Sequence, residues 1–164
     1  MIQRIQTLYL LAALTFCVGC LCLPIAHFIV GDGLNSFAGS LDPYERVDMY
    51  NLWLVSEGKH MFYFCPVLMA ILVITTSLIC VDVLLFKRRV LQMRVCVFCM
   101  ILLLGWYAVY GFFAWHYLGT FPMEVTFRVT VKASLPFVSF ILLYLAFRGI
   151  MKDEKLVRSL DRLR

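Results

Sequence analysis

The sequence predicts an all-α membrane protein: a four-transmembrane-helix bundle with a modest outer loop between helices 1 and 2 and a short cytoplasmic C-terminal amphipathic helix. Three observations predict it. Four long apolar stretches, 8–30, 61–86, 95–118 and 129–147, fill most of the 164 residues. The chain is 63% hydrophobic with a mean hydropathy of +0.89, whereas apolar residues make up about half of a soluble domain. The basic residues, finally, are sorted between the segments that connect the stretches. A helix rises about 1.5 Å per residue and a bilayer core is about 30 Å thick, so each stretch of roughly 20 residues crosses it. The loop over 31–60 and the tail over 148–164 are too short to bury cores of their own, which makes 1–164 a single membrane domain.

The net charge of +5 does not point to nucleic acid, because its distribution follows membrane sides. An even number of spans puts both termini on one side. That side carries Arg4, Lys87, Arg88, Arg89, Arg94, Arg148, Lys152, Lys155, Arg158, Arg162 and Arg164, against Arg46, Lys59, Arg128 and Lys132 on the other. Cytoplasmic loops collect Lys and Arg, so both termini are expected in the cytoplasm. The first apolar run is longer than the usual core of a signal peptide, and no small-x-small cleavage site follows it. Cys17-Val18-Gly19-Cys20 departs from a lipoprotein processing site at Cys17, where leucine is wanted.

Along the chain, Arg4 is placed to snorkel toward headgroups, and Pro24 is expected to kink the outer end of the first span. Two readings of the outer loop compete. Asp42-Pro43-Tyr44-Glu45 has a helix-start pattern, while the aromatic, β-favouring 50–55 segment could pair with the Gly-containing 34–40 segment. Spans two and three, joined by a short basic loop, are antiparallel neighbours. Trp106, Tyr107, Tyr110, Trp115 and Tyr117 suit the outer half and interface of the third span. The fourth span is interrupted by Lys132 and Pro136, with Lys132 expected at the outer headgroups. In the tail, Leu156, Leu160 and Leu163 recur at helical spacing and Glu154 is placed to pair with Arg158, which reads as a short cationic amphipathic helix. Such a helix lies on anionic lipid or docks on a partner.

Three segments, 1–7 (Met-Ile-Gln-Arg-Ile-Gln-Thr), 86–94 (Phe-Lys-Arg-Arg-Val-Leu-Gln-Met-Arg) and 152–164, together resemble the Bacteroidota inner-membrane family of domain of unknown function 4293. They stand at the start, middle and end, so the resemblance covers the whole chain. It implies four membrane helices in a bacterial inner membrane. It carries over no activity and no catalytic or binding residue. All three segments fall on the side assigned to the cytoplasm, which makes that face the expected place of function.

Seven cysteines include two CxxC spacings, Cys17 with Cys20 and Cys96 with Cys99. Both pairs lie within predicted helices and differ by about 10 Å in depth, which argues against a four-cysteine zinc site and for packing residues. The 31–60 loop has no cysteine for outer-face disulfide transfer. His27, His60 and His116 fall near the outer ends of their spans; facing histidines hold haem or metal or contact a quinone, yet amphipathic histidines also favour interfaces. Asp82, the acid inside a span, reads as a structural ion pair with Lys87, Arg89 or Arg94, against the proton-coupled role that an intramembrane carboxylate suggests. No phosphate-binding loop, HExxH or GxSxG occurs.

These readings converge on a non-enzymatic accessory or scaffold subunit without a cofactor. Its basic face, Lys87, Arg88, Arg89, Arg94, Lys155, Arg158, Arg162 and Arg164, would contact anionic headgroups or a membrane or cytoplasmic protein. The alternative is a membrane thiol-redox or haem-, quinone- or metal-binding protein; the third reading is a small transporter subunit.

Overall fold

The computed structural model describes residues 2–31, 44–51, 54–56, 59–61, 66–85, 88–120 and 125–161. Four helices, α1 (Ile2–Cys22), α2 (Pro66–Leu84), α3 (Arg89–Thr120) and α4 (Leu135–Asp161), form the expected bundle, and all four are long and apolar enough to cross a membrane. α1 packs on α2 and α4, and α3 packs on the same two, so α1 and α3 lie across the diagonal.

The helix limits follow local chemistry. Proline disfavours helical geometry in the residue before it, and α1 stops at Cys22, one residue short of the Leu23-Pro24 step. The first span is therefore shorter than the 8–30 expected, and Pro24 ends the helix rather than kinking it. Pro66 opens α2 and Pro136 sits in the first turn of α4, where a missing N–H costs nothing. α3 has 32 residues and so is about 48 Å long, enough to project beyond a bilayer core. α4 runs unbroken to Asp161, so the cationic tail is the continuation of the fourth span and not a separate helix.

Each helix is apolar on most of its surface, as a lipid-facing helix must be, and Leu8, Leu84, Ile101, Leu104 and Phe112 are more than half exposed. The inward stripes follow alternating steps of four and three. On α1 they are Gln6, Leu10, Ala13, Cys17 and Cys20; on α2, Leu68, Leu72, Thr75, Ile79 and Asp82. On α3 they are Gln92, Cys96, Cys99, Leu103, Trp106 and Tyr110; on α4, Ser139, Leu143, Ala146, Ile150 and Asp153. This is the heptad spacing of closely aligned helices. It places Trp106 and Tyr110 in the core rather than in an interfacial belt, with their rings stacked 5.4 Å apart. Trp115, 83% exposed, stays on the outside of the bundle.

The outer segment adds what the all-helical expectation lacked. Strands β1 (Ala26–Gly31), β2 (Tyr44–Met49), β3 (Leu54–Ser56), β4 (Lys59–Met61) and β5 (Val125–Val129) form an antiparallel sheet in the order β4-β3-β2-β1-β5. Tyr44 and Glu45 of the helix-start pattern belong to β2, which is paired on both sides, and that pairing overrides the local helix signal. Asp42, Pro43, the 34–40 segment and Trp53 lie outside the described residues. Ala26 and Met49, opposite each other in register, are buried against the bundle. The Ile25 amide donates to the Met49 carbonyl at 2.7 Å and the Thr130 amide to the Ile25 carbonyl at 3.2 Å, tying the end of α1 to both neighbours of β1. A 3-10 turn, Val131–Ser134, holds half-buried Lys132 and leads into α4.

Candidate functional site

At the end of the bundle opposite the sheet, every helix finishes its inward stripe in a polar side chain. Passing round the ring, these are Gln6 on α1, Asp153 on α4, Gln92 on α3 and Asp82 on α2, all buried. Gln6 Nε2 donates to Asp153 Oδ2 at 2.7 Å. Gln92 Nε2 donates to the Asp82 backbone carbonyl at 3.3 Å, and the Cys96 thiol donates to Asp82 Oδ2 at 3.0 Å. Asp82 Oδ1 has no hydrogen-bond partner among the described residues. Gly149 admits Gln6 to this layer: a Cβ at 149 would stand 3.1 Å from Gln6 Cγ and 3.2 Å from its Nε2.

The polar layer changes the account of Asp82. Among the described residues it makes no ion pair with Arg89 or Arg94, and Lys87 lies outside them. Its place on the inward stripe of α2 turns it toward Cys96 and Gln92. The arginines gather elsewhere. Arg88, Arg89, Val90, Leu91, Arg94 and Glu154 line an open cavity of about 510 Å³ between the start of α3 and the extension of α4. Lys155 is exposed on the same extension; the side chain of Arg158, and Arg162 and Arg164 entirely, lie outside the described residues.

At the sheet end, His27 Nδ1 lies 2.5 Å from Asp48 Oδ1, a cross-strand pair between β1 and β2. Arg128 of β5 is opposite His27 in register, and Val55 and then His60 continue the row across β3 and β4. His60 is thus two strands from Asp48, roughly 10 Å at ordinary strand spacing. His116 is exposed on α3 and stacks on Phe112. Sequence proximity to the outer ends thus placed the histidines in one zone but on separate elements. Among the described residues, no three His, Cys, Asp or Glu side chains are grouped to hold a metal ion.

Cys17, Cys20, Cys96 and Cys99 are buried in the core, Cys22 and Cys80 are exposed, and all six carry free thiols; Cys65 lies outside the described residues. Below the sheet, buried Asn51 donates to the Cys20 carbonyl at 2.6 Å and accepts from Trp106 Nε1 at 3.3 Å. Tyr107 donates its hydroxyl to the Ala133 carbonyl at 2.7 Å. Beside it, Tyr107, Tyr110, Thr130, Ala133 and Phe137 help line an apolar crevice of about 500 Å³. Sequence reading singled out Asp82 but missed Gln6, Gln92 and Asp153. The signal was there: each sits one step of three or four beyond an apolar inward residue.

None of the curated proteins matches the chain. The family described as Domain of unknown function (DUF4293) matches residues 2–163, nearly the whole length. The chain belongs to this DUF4293 family.

Proposed function

We propose that the protein is a non-enzymatic accessory or scaffold subunit of the bacterial inner membrane, with both termini cytoplasmic, acting through its arginine-bearing end. The observation that carries this reading is the concave face formed where Arg88, Arg89 and Arg94 meet the extension of α4. A loop of loose basic residues would serve only to orient the chain in the bilayer. Here the guanidinium groups are presented by the opening turns of one helix, and the helix beside them is fixed to α1 through the buried Gln6–Asp153 contact. Such a face has a defined shape, which is what recognition of a partner requires. The excess of Lys and Arg at this end supports its cytoplasmic assignment.

Two truncations test the reading. Removal of residues 156–164 spares the polar layer and is expected to release a co-purifying partner while leaving the amount of inserted protein unchanged. Removal of 149–164 takes Asp153 as well and is expected to lower the amount of folded protein severalfold. Quantitative mass spectrometry of proteins retained by the tagged chain, with membrane abundance measured in parallel, checks both. A partner held equally well by the full chain and the shorter truncation would place the contact away from the tail.

A further inference from the structure

From this same basic face we infer that the cavity lined by Arg88, Arg89 and Arg94 is a binding site for the phosphate headgroup of one anionic phospholipid. It rests on the accessory-subunit reading only in using the same end of the molecule. Three guanidinium groups share one concavity of about 510 Å³ with a single carboxylate, Glu154, and no ion pair between these arginines and a carboxylate forms among the described residues. Guanidinium matches phosphate oxygens through paired N–H donors, and such charge-assisted bonds are about twice as strong as neutral ones.

The backbone points the same way. The Gln92 amide donates to the Arg88 carbonyl at 3.0 Å, which makes Arg88 the residue that caps α3. The amides of Arg89, Val90 and Leu91 then have no acceptor within the helix. Arginine has no acceptor to offer them, and the first turn of α3 contains no acidic residue. Helix starts normally draw carboxylates or capping oxygens, because the dipole there is positive; arginines in that turn are repelled by it. An anion in the cavity reverses the sign of this arrangement. It can accept from these amides and neutralises the guanidinium groups at one point.

The lipid, rather than a soluble phosphate, follows from what surrounds the arginines. Val90 and Leu91 line the cavity and are 42% and 41% exposed, and Leu84, one short turn earlier in the chain, is 69% exposed. The cavity therefore combines cationic and apolar walls at the level where the spans leave the bilayer, which suits a phosphodiester with acyl chains running down the helix surface.

The test uses the full-length protein in mild detergent, titrated with phosphatidylglycerol, phosphatidylcholine or inorganic phosphate and read by native mass spectrometry. The wild type is expected to retain one phosphatidylglycerol, with phosphatidylcholine and inorganic phosphate at least about tenfold weaker. The R88Q/R94Q variant is expected to lose at least about tenfold in phosphatidylglycerol affinity, equivalent to losing a charge-assisted contact. Glu154→Gln, which removes the carboxylate from the lining, is expected to tighten retention severalfold, an effect that misfolding does not produce. Equal retention by wild type and R88Q/R94Q, or equal retention of the zwitterionic lipid, overturns the site; inorganic phosphate binding as tightly as the lipid overturns the lipid assignment. An R88Q/R94Q protein that keeps the lipid but loses a protein partner rejects the headgroup site and leaves the accessory reading standing. One that drops the lipid and keeps the partner does the opposite.

Discussion

Trp106→Ala is expected to destabilise the bundle by about 3–5 kcal/mol, the range for deleting a large aromatic from a packed interior. Trp106 is fully buried, stacks on Tyr110 and meets Tyr107 edge-on at 5.0 Å. Its loss also strips Asn51 Oδ1 of the indole donor, leaving a buried amide oxygen unpaired. The indole thus joins the helical core to the chain just beyond β2. Thermal unfolding in detergent, followed by circular dichroism, measures the loss. Asn51→Ala removes the same hydrogen bond from its other end together with the contact to the Cys20 carbonyl. A double-mutant cycle should therefore show the two substitutions to be less than additive, and strict additivity would mean that the indole–amide bond contributes nothing.

The second large effect is expected at Gly149. Valine there places side-chain atoms where Gln6 already lies, since the first added carbon alone approaches Gln6 Cγ to 3.1 Å. Gln6 must shift, and its bond to Asp153 is expected to break as it does. Overpacking costs about 1–3 kcal/mol, and leaving a buried polar group unpaired costs about 1–3 kcal/mol more. The expected total is about 2–6 kcal/mol. Gln6→Ala should suppress part of this, because it clears the space that the valine needs while Asp153 remains unpaired in both backgrounds. If Gln6→Ala and Gly149→Val simply added, the close approach would not be the source of the defect. The pair separates crowding from hydrogen bonding in a way that neither substitution does alone.

How much of this was legible in the sequence depends on which physical signal was strong. Runs of about 20 apolar residues are unmistakable against bilayer thickness, so the four helices and their antiparallel order could be read directly. The boundary between α1 and β1 could not be read by hydropathy, because Ala26-His27-Phe28-Ile29-Val30 is nearly as apolar as the span before it; only Pro24 marked the break. The sheet was hidden for a second reason. β1 pairs with β5, whose residues come after α3, and no local pattern announces a partner that far along the chain. The inward stripes were weakly visible, since helices apolar on every side show little contrast between lipid and core. At the candidate site, Arg88, Arg89 and Arg94 stood out by charge alone. Their meeting with Glu154 required the continuous α4, which charge and leucine spacing had divided into a span and a tail.

The pairing of β1 with β5 also fixes an order of events during biogenesis. β1 and β2 emerge from the ribosome early and can form a hairpin at once, but the opposite edge of β1 stays open until the chain has been made past residue 125 and α3 has crossed the membrane. An open strand edge offers its amides and carbonyls to any extended chain nearby. The interval of synthesis spanning α2 and α3 is therefore the period in which the nascent protein is most exposed to mispairing. A chain arrested before Val125 should remain protease-sensitive at β1, whereas one arrested after α4 should be protected there.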